Sequence, residues 1–199
     1  ITGVARVKDF DSERAGLQFP AVESPFRLDR QGIDLSGLTA SGYQGTIQSD
    51  LALQWHQGFV AEGDIRLNKL AVEPLMRDLQ FPLVTGWLDG AARFEWRGGT
   101  ETALAGLDLN GHWQINNGFF PGVNLKALSG LMTRRSSVTP GTAFDVASSD
   151  IKILGSEIGL TNMDIKSSVL AADGQLKIAE NASLSGELRV GGNESSGVT

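Results

Sequence analysis

The chain has 199 residues, 41% hydrophobic and 20% charged, a balance that places it among globular proteins with room for a substantial core in one or two domains. A formal net charge of −6, with no Lys/Arg run longer than Arg134-Arg135, leaves no basic footprint and excludes nucleic acid as a partner. The absence of cysteine excludes disulfides and thiolate chemistry, and no stretch approaches the roughly 20 apolar residues of a membrane-spanning helix.

The opening ITGVARV is strand-like, with neither an initiator methionine nor a signal-peptide pattern, so the chain is expected to be part of a longer one whose membrane anchor lies elsewhere. In chain order, residues 1–25 are the least periodic. Val4 and Val7 suggest a short strand, and Pro20 and Pro25 punctuate the stretch after it. Ile47, Leu51, Leu53 and Trp55 then alternate with Gln48, Asp50, Gln54 and His56. After a turn at Gln57-Gly58, Phe59, Ala61, Ile65 and Leu67 alternate with Glu62, Asp64 and Arg66, which predicts a hairpin. In AVEPLMRDL, Pro74 suits the first turn of a helix about two turns long, with Leu75, Met76 and Leu79 near one face.

A second strand pair is predicted over 84–96 and 104–116. Leu88, Ala92, Phe94 and Trp96 share one face of the first strand, opposite Asp89, Arg93 and Glu95. In the second, Leu107, Leu109, Gly111, Trp113 and Ile115 alternate with Asp108, Asn110, His112, Gln114 and Asn116. Asn117-Gly118 supplies turn chemistry. A second short helix is expected in NLKALSGLMTR, with Asn124 as N-cap and Arg134-Arg135 at its C-terminal end. Four more strands come next, over 144–154, 157–166, 169–178 and 182–190. A phase slip between Leu160 and Met163 marks a bulge at Thr161-Asn162, and Glu180-Asn181 forms the last turn. One β domain is expected over 1–190, with a flexible tail over 191–199.

The expected fold is therefore mainly β: a strongly curved antiparallel sheet of about 9–11 strands with two short α-helices, an open trough or a partly closed barrel or sandwich. A nine-residue strand spans about 30 Å, and an apolar face of that length across several strands exceeds what soluble monomers expose, so something must cover it. A sandwich or barrel closed on its own side chains is the simpler solution, and a trough holding acyl chains is the other.

Catalytic and metal chemistry find little support. His56 and His112 stand on polar strand faces, where a metal site would need them together with carboxylates such as Asp50 or Asp108. No nucleophile elbow or phosphate-cradling loop occurs. Asp89 and Glu95, with Arg93 between them, read as a solvated ladder rather than a glycosidase pair. Neither catalytic residues, nor a metal, nor a cofactor is expected. Met76, Leu79 and Phe81 fit packing beneath a helix better than a lid over a trough. Of the four tryptophans, Trp55, Trp96 and Trp113 take the inward phase and Trp87 the outward one, the place to look for an exposed role such as sugar stacking.

The succession YQGTIQSDLAL, GDIRLNKLAVEPLMRDL, VTGWLDGAARFEWRG, LAGLDLNGHWQINNGFFPGVNLKALSGL and TAFDVASSDIKILGSEIGLTNMDIKSSVLAADGQLKI, over about 43–190, resembles the C-terminal region of the AsmA-like family of bacterial envelope proteins. The shared pattern is one of glycines, turns and apolar positions. It implies a periplasmic domain of a parent protein anchored in the inner membrane of a Gram-negative bacterium, non-catalytic and serving outer-membrane assembly. Phospholipid or another acyl lipid would lie along the apolar sheet face, against Leu53, Trp55, Ile65, Phe94, Trp96, Leu109, Trp113 and Leu176. Lys126, Arg134 and Arg135 would meet a headgroup phosphate at the trough mouth. Membrane contact would run through a segment outside this chain, and other envelope proteins are possible partners. The alternative is a closed β-sandwich scaffold or protein-interaction module without lipid. In either case the edge strands, near 1–8 and 184–190, are expected to be available to neighbouring strands.

Overall fold

A computed structural model describes residues 1–12, 17–56, 58–79, 84–98, 105–122, 125, 141–181 and 183–192. Eleven strands run in sequence order: β1 (Thr2–Ser12), β2 (Leu17–Leu28), β3 (Gly32–Gly42), β4 (Gly45–Gln54), β5 (Val60–Ala71), β6 (Thr85–Arg97), β7 (Leu107–Pro121), β8 (Gly141–Leu154), β9 (Glu157–Lys166), β10 (Leu170–Ile178) and β11 (Leu184–Gly192). Each pairs antiparallel with its sequence neighbours in one sheet, the arrangement that strands joined by short connections adopt most readily. Among the described residues β1 pairs with β2 alone and β11 with β10 alone, so the sheet is not closed. This corrects the closed sandwich or barrel expected as the simpler solution.

The single helix among the described residues is α1 (Val72–Asp78), between β5 and β6. Pro74 lies in its first turn, where a missing N–H costs no helical bond. Ala71 provides no side-chain cap. Glu73 suits the N-terminal dipole and meets Arg77 at 2.9 Å, an exposed i,i+4 pair worth about 0.3–0.5 kcal/mol. The second predicted helix lies outside the described residues except for Leu125, as do Phe81, Lys126, Arg134, Arg135 and 193–199. Gly191 and Gly192, expected in the tail, complete β11.

The N-terminal region departs from its weak periodicity by forming two long strands, with both prolines inside β2. Pro20 lies opposite Asp9, whose φ of 53° interrupts the β1–β2 ladder. Pro25 falls within the irregularity between Glu23 and Phe26 in the β2–β3 ladder. Proline is tolerated in a sheet at such breaks, where no ladder bond depends on its N–H. Asn117 likewise makes no chain reversal: with φ of 52° it forms a bulge against β6, and β7 continues to Pro121. The predicted bulge at Thr161-Asn162 is present in the ladders to both β8 and β10, with Asn162 at φ 52°.

The buried core sits at one end of the sheet. Leu70, Leu88, Ile115, Ala147, Ile165, Ala172 and Val190 form one cross-strand row. Val72 of α1, Leu125, Phe144 and Leu170 complete the cluster, with Met76, Trp113 and Phe120 at its margin. The Phe120 and Phe144 rings stack at 4.4 Å. A Cβ at Gly118 would overlap the Phe144 ring and the Thr85 carbonyl, so only glycine lets the strand pass beneath that ring. Leu70, Leu125 and Leu170 are fully buried and contribute about 1.5–3 kcal/mol each. The Tyr43 hydroxyl fastens this end. It donates to Asp78 Oδ2 at 2.8 Å and accepts from the Gln18 backbone N–H at 3.0 Å, joining α1 to β2 across the β3–β4 turn.

Candidate functional site: an uncovered apolar sheet face

Beyond the core, strand alternation lays the apolar side chains out in parallel rows. One row runs Phe26, Leu35, Leu51, Gly63, Phe94, Leu109, Ile153, Ile158, Ile178, Leu184, crossing every strand from β2 to β11. A second runs Ile65, Ala92, Gly111, Ile151, Leu160, Leu176. A third runs Ile33, Leu53, Ala61, Trp96, Leu107. Eleven strands at about 4.8 Å make a face roughly 50 Å wide.

These side chains shade one another within the sheet, yet the large ones remain partly exposed. Phe94, Leu109, Ile151, Ile153, Ile158, Leu160 and Leu176 all stay outside the buried core.

All eight side chains predicted to contact lipid share this face. Leu53, Ile65, Phe94, Trp96, Leu109 and Leu176 belong to the three rows. Trp55 follows β4 at the end of the sheet away from α1; it is 42% exposed, and its Nε1–H donates to the Arg30 carbonyl at 3.2 Å. Phe59, opposite it in the hairpin, packs edge-on against Trp96 at 5.6 Å. Trp113 differs from the rest, because it packs against the core margin. Ile151, Ile153, Ile158, Leu160 and Ile178 belong to the face as fully as the eight, and the alternation in 151–160 is the signal that marks most of them. The proposed headgroup residues Lys126, Arg134 and Arg135 lie outside the described residues.

The opposite side is polar, and its middle carries a cluster of carboxylates. Glu62, Glu95 and Asp108 lie side by side across β5, β6 and β7, and Asp50 faces Asp64 across β4 and β5. Here a concavity of about 710 Å³ opens among Asp34, Asp50, Glu62, Asp64, Arg93, Glu95 and Asp108. Arg93 binds both carboxylate oxygens of Asp64, at 3.1 and 3.2 Å, and this hydrogen bonding holds the Asp64 carboxyl below its ordinary value. Arg97 pairs with Glu95 at 2.5 Å. The ladder of Asp89, Arg93 and Glu95 is thus solvated and locally paired, as alternation predicts. Trp87 stands on this side, 39% exposed.

His112 lies mid-sheet on the polar side, with Nδ1 2.8 Å from Asp150 Oδ1, while Asn162 Nδ2–H donates to Asp150 Oδ2 at 2.7 Å. Both contacts lower the Asp150 pKa, the amide bond more than the imidazole. His56 stands apart, beyond the end of β4. Among the described residues no three His, Asp or Glu side chains are grouped to hold a metal ion, and no helix there is long and apolar enough to cross a membrane.

The geometry thus presents partly exposed apolar side chains on one side and a cluster of carboxylates among paired cations on the other. Comparison with family models, with curated proteins and with solved structures gives no match for this chain.

Proposed function

We propose that this chain is a non-catalytic periplasmic domain of an AsmA-like envelope protein, and that its apolar sheet face binds or conducts phospholipid acyl chains in support of outer-membrane assembly. The observation that carries this reading is the uninterrupted row from Phe26 to Leu184, apolar or glycine on ten consecutive strands, whose large side chains all stay partly exposed. In this reading the sheet curls along its length so that the row lines a trough, and the core around α1 closes one end.

Hydrophobic transfer supplies the affinity. Each methylene buried on both sides is worth about 0.8 kcal/mol, so a chain of about 16 carbons covered on one side gains roughly 6 kcal/mol before ordering costs. Selectivity among acyl chains is weak, because they present no polar feature to read. The acidic opposite side favours water over anionic headgroups, which orients the apolar side alone toward lipid.

Native mass spectrometry with lipid extraction tests the reading on protein purified from bacterial cells. The expected result is co-purified phospholipid that disappears in Leu109→Asp or Leu176→Asp while the circular dichroism spectrum stays intact. A folded protein that carries no lipid and refuses phospholipid added in detergent would refute it, and the apolar face would then be a surface for another envelope protein.

A further inference from the structure

We propose that β11 is a self-complementary edge through which two copies of this chain join into one continuous sheet. The strand is nine residues long, contains neither proline nor lysine, and among the described residues pairs only with β10. Natural sheets usually guard so long an edge with such residues. Its apolar side chains face solvent: Leu184 is 65% exposed and Leu188 38%.

The register follows from alternation and charge. The bond from the Ala179 N–H to the Ser183 carbonyl sets which backbone groups of β11 point toward β10. By the alternation of an antiparallel ladder, those of Leu184, Gly186, Leu188, Val190 and Gly192 point outward, with no partner strand among the described residues. A two-fold axis perpendicular to the sheet at Leu188 pairs Leu188 with its own copy, Gly186 with Val190 and Leu184 with Gly192. All of these lie on the apolar side, which continues unbroken from one copy to the next. On the polar side the same axis sets Glu187 opposite Arg189 twice.

Neighbouring registers that keep the two sides matched lose this advantage. Moving the axis to Glu187 sets Glu187 against its copy, and moving it to Arg189 does the same for the arginine, which is unfavourable for directly opposed like charges. The other edge does not compete. An axis at Val7 in β1 opposes Arg6 to Lys8, and Asp9, at φ 53°, breaks the strand. One paired strand buries less than a standard interface, so the association is reversible and concentration-dependent.

Sedimentation velocity on the 199-residue chain, from about 5 to 500 µM, tests this, with circular dichroism and thermal melting to show that each variant is folded. A monomer–dimer equilibrium is expected. Glu187→Arg and Arg189→Glu each oppose like charges twice and are expected to weaken it about tenfold or more, while the double exchange restores it to within about threefold. A monomer at every concentration, assembly beyond dimers of the kind β11-to-β1 pairing would build, or a double exchange that fails to restore association would each overturn the proposal. None of these outcomes depends on lipid binding.

Discussion

Leu109→Asp and Ile115→Asp place the same carboxylate on the same side of the same strand, six residues apart, and the structure assigns them different costs. Leu109 touches its row neighbours Phe94 and Ile153 and stays partly exposed. Half of a buried leucine's 1.5–3 kcal/mol, plus up to about 1 kcal/mol for the poor strand preference of aspartate, gives a loss of roughly 1–2.5 kcal/mol, because the new carboxylate stays in water. Ile115 is 7% exposed within the core cluster, where the substitution both removes the side chain and strands a charge away from solvent. That combination costs about 5 kcal/mol or more, enough to unfold a domain of ordinary stability. Urea denaturation followed by tryptophan fluorescence and far-ultraviolet circular dichroism measures both, with midpoints compared at constant m. If Leu109→Asp costs as much as Ile115→Asp, a further layer covers Leu109 and the reasoning about an uncovered face fails.

Gly118→Ala forces a methyl group into the Phe144 ring and the Thr85 carbonyl, and is expected to cost about 3 kcal/mol in the same denaturation assay. Tyr43→Phe removes the hydroxyl that bonds Asp78 and the Gln18 backbone, a loss of about 1 kcal/mol, with α1 amides exchanging faster by hydrogen-exchange mass spectrometry. The Asp150 carboxyl is held below its ordinary value by Asn162 and His112, so the folded chain takes up this proton later than the unfolded chain does as pH falls. Its stabilising contribution is complete above the unfolded value, near pH 4, and is lost as pH falls through the folded value; Asp150→Asn is expected to flatten the stability profile in that acid range, measured by thermal melting from pH 6 to pH 2.5.

Strand alternation carried most of the fold, because a half-covered antiparallel sheet writes its two sides into the chain at period two. The β4–β5 and β6–β7 pairs, the bulge at Asn162 and the turn at Glu180-Asn181 were all legible on that basis. β1 and β2 were not, because Pro20 and Pro25 carry the local signature of turns, and only the bulges in the neighbouring ladders make them tolerable inside a strand. Asn117-Gly118 misled for a related reason. A residue at positive φ serves a reversal or a bulge equally well, and the choice rests on whether Gly118 must clear Phe144, a contact 26 residues away in sequence. The candidate face was legible as a phase but not as a depth: Trp113 and Leu109 share one alternation, yet only Trp113 meets the core, because α1 and Leu125 cover one end of the sheet.

That unequal cover governs how stability is distributed. Around α1, side chains from β5 to β11 and the helix bury one another, so that end of the sheet is expected to open only with global unfolding. Toward Trp55, Phe59 and Leu184, the described residues hold the strands by ladder hydrogen bonds and lateral contacts, and no buried layer faces them among the described residues. Matter laid against the apolar face adds the missing layer there and nowhere else. A bound acyl chain, if the proposed function holds, would therefore stabilise the end of the sheet away from α1 selectively, slowing amide exchange in β3, β4 and β5 near Leu35 and Leu51 while leaving the already buried amides near Ala147 and Ile165 unchanged. A second copy joined at β11 would instead protect Leu184, Gly186 and Leu188. The two proposed partners would thus leave separate imprints on a single exchange map, because each would cover backbone that the other leaves in water.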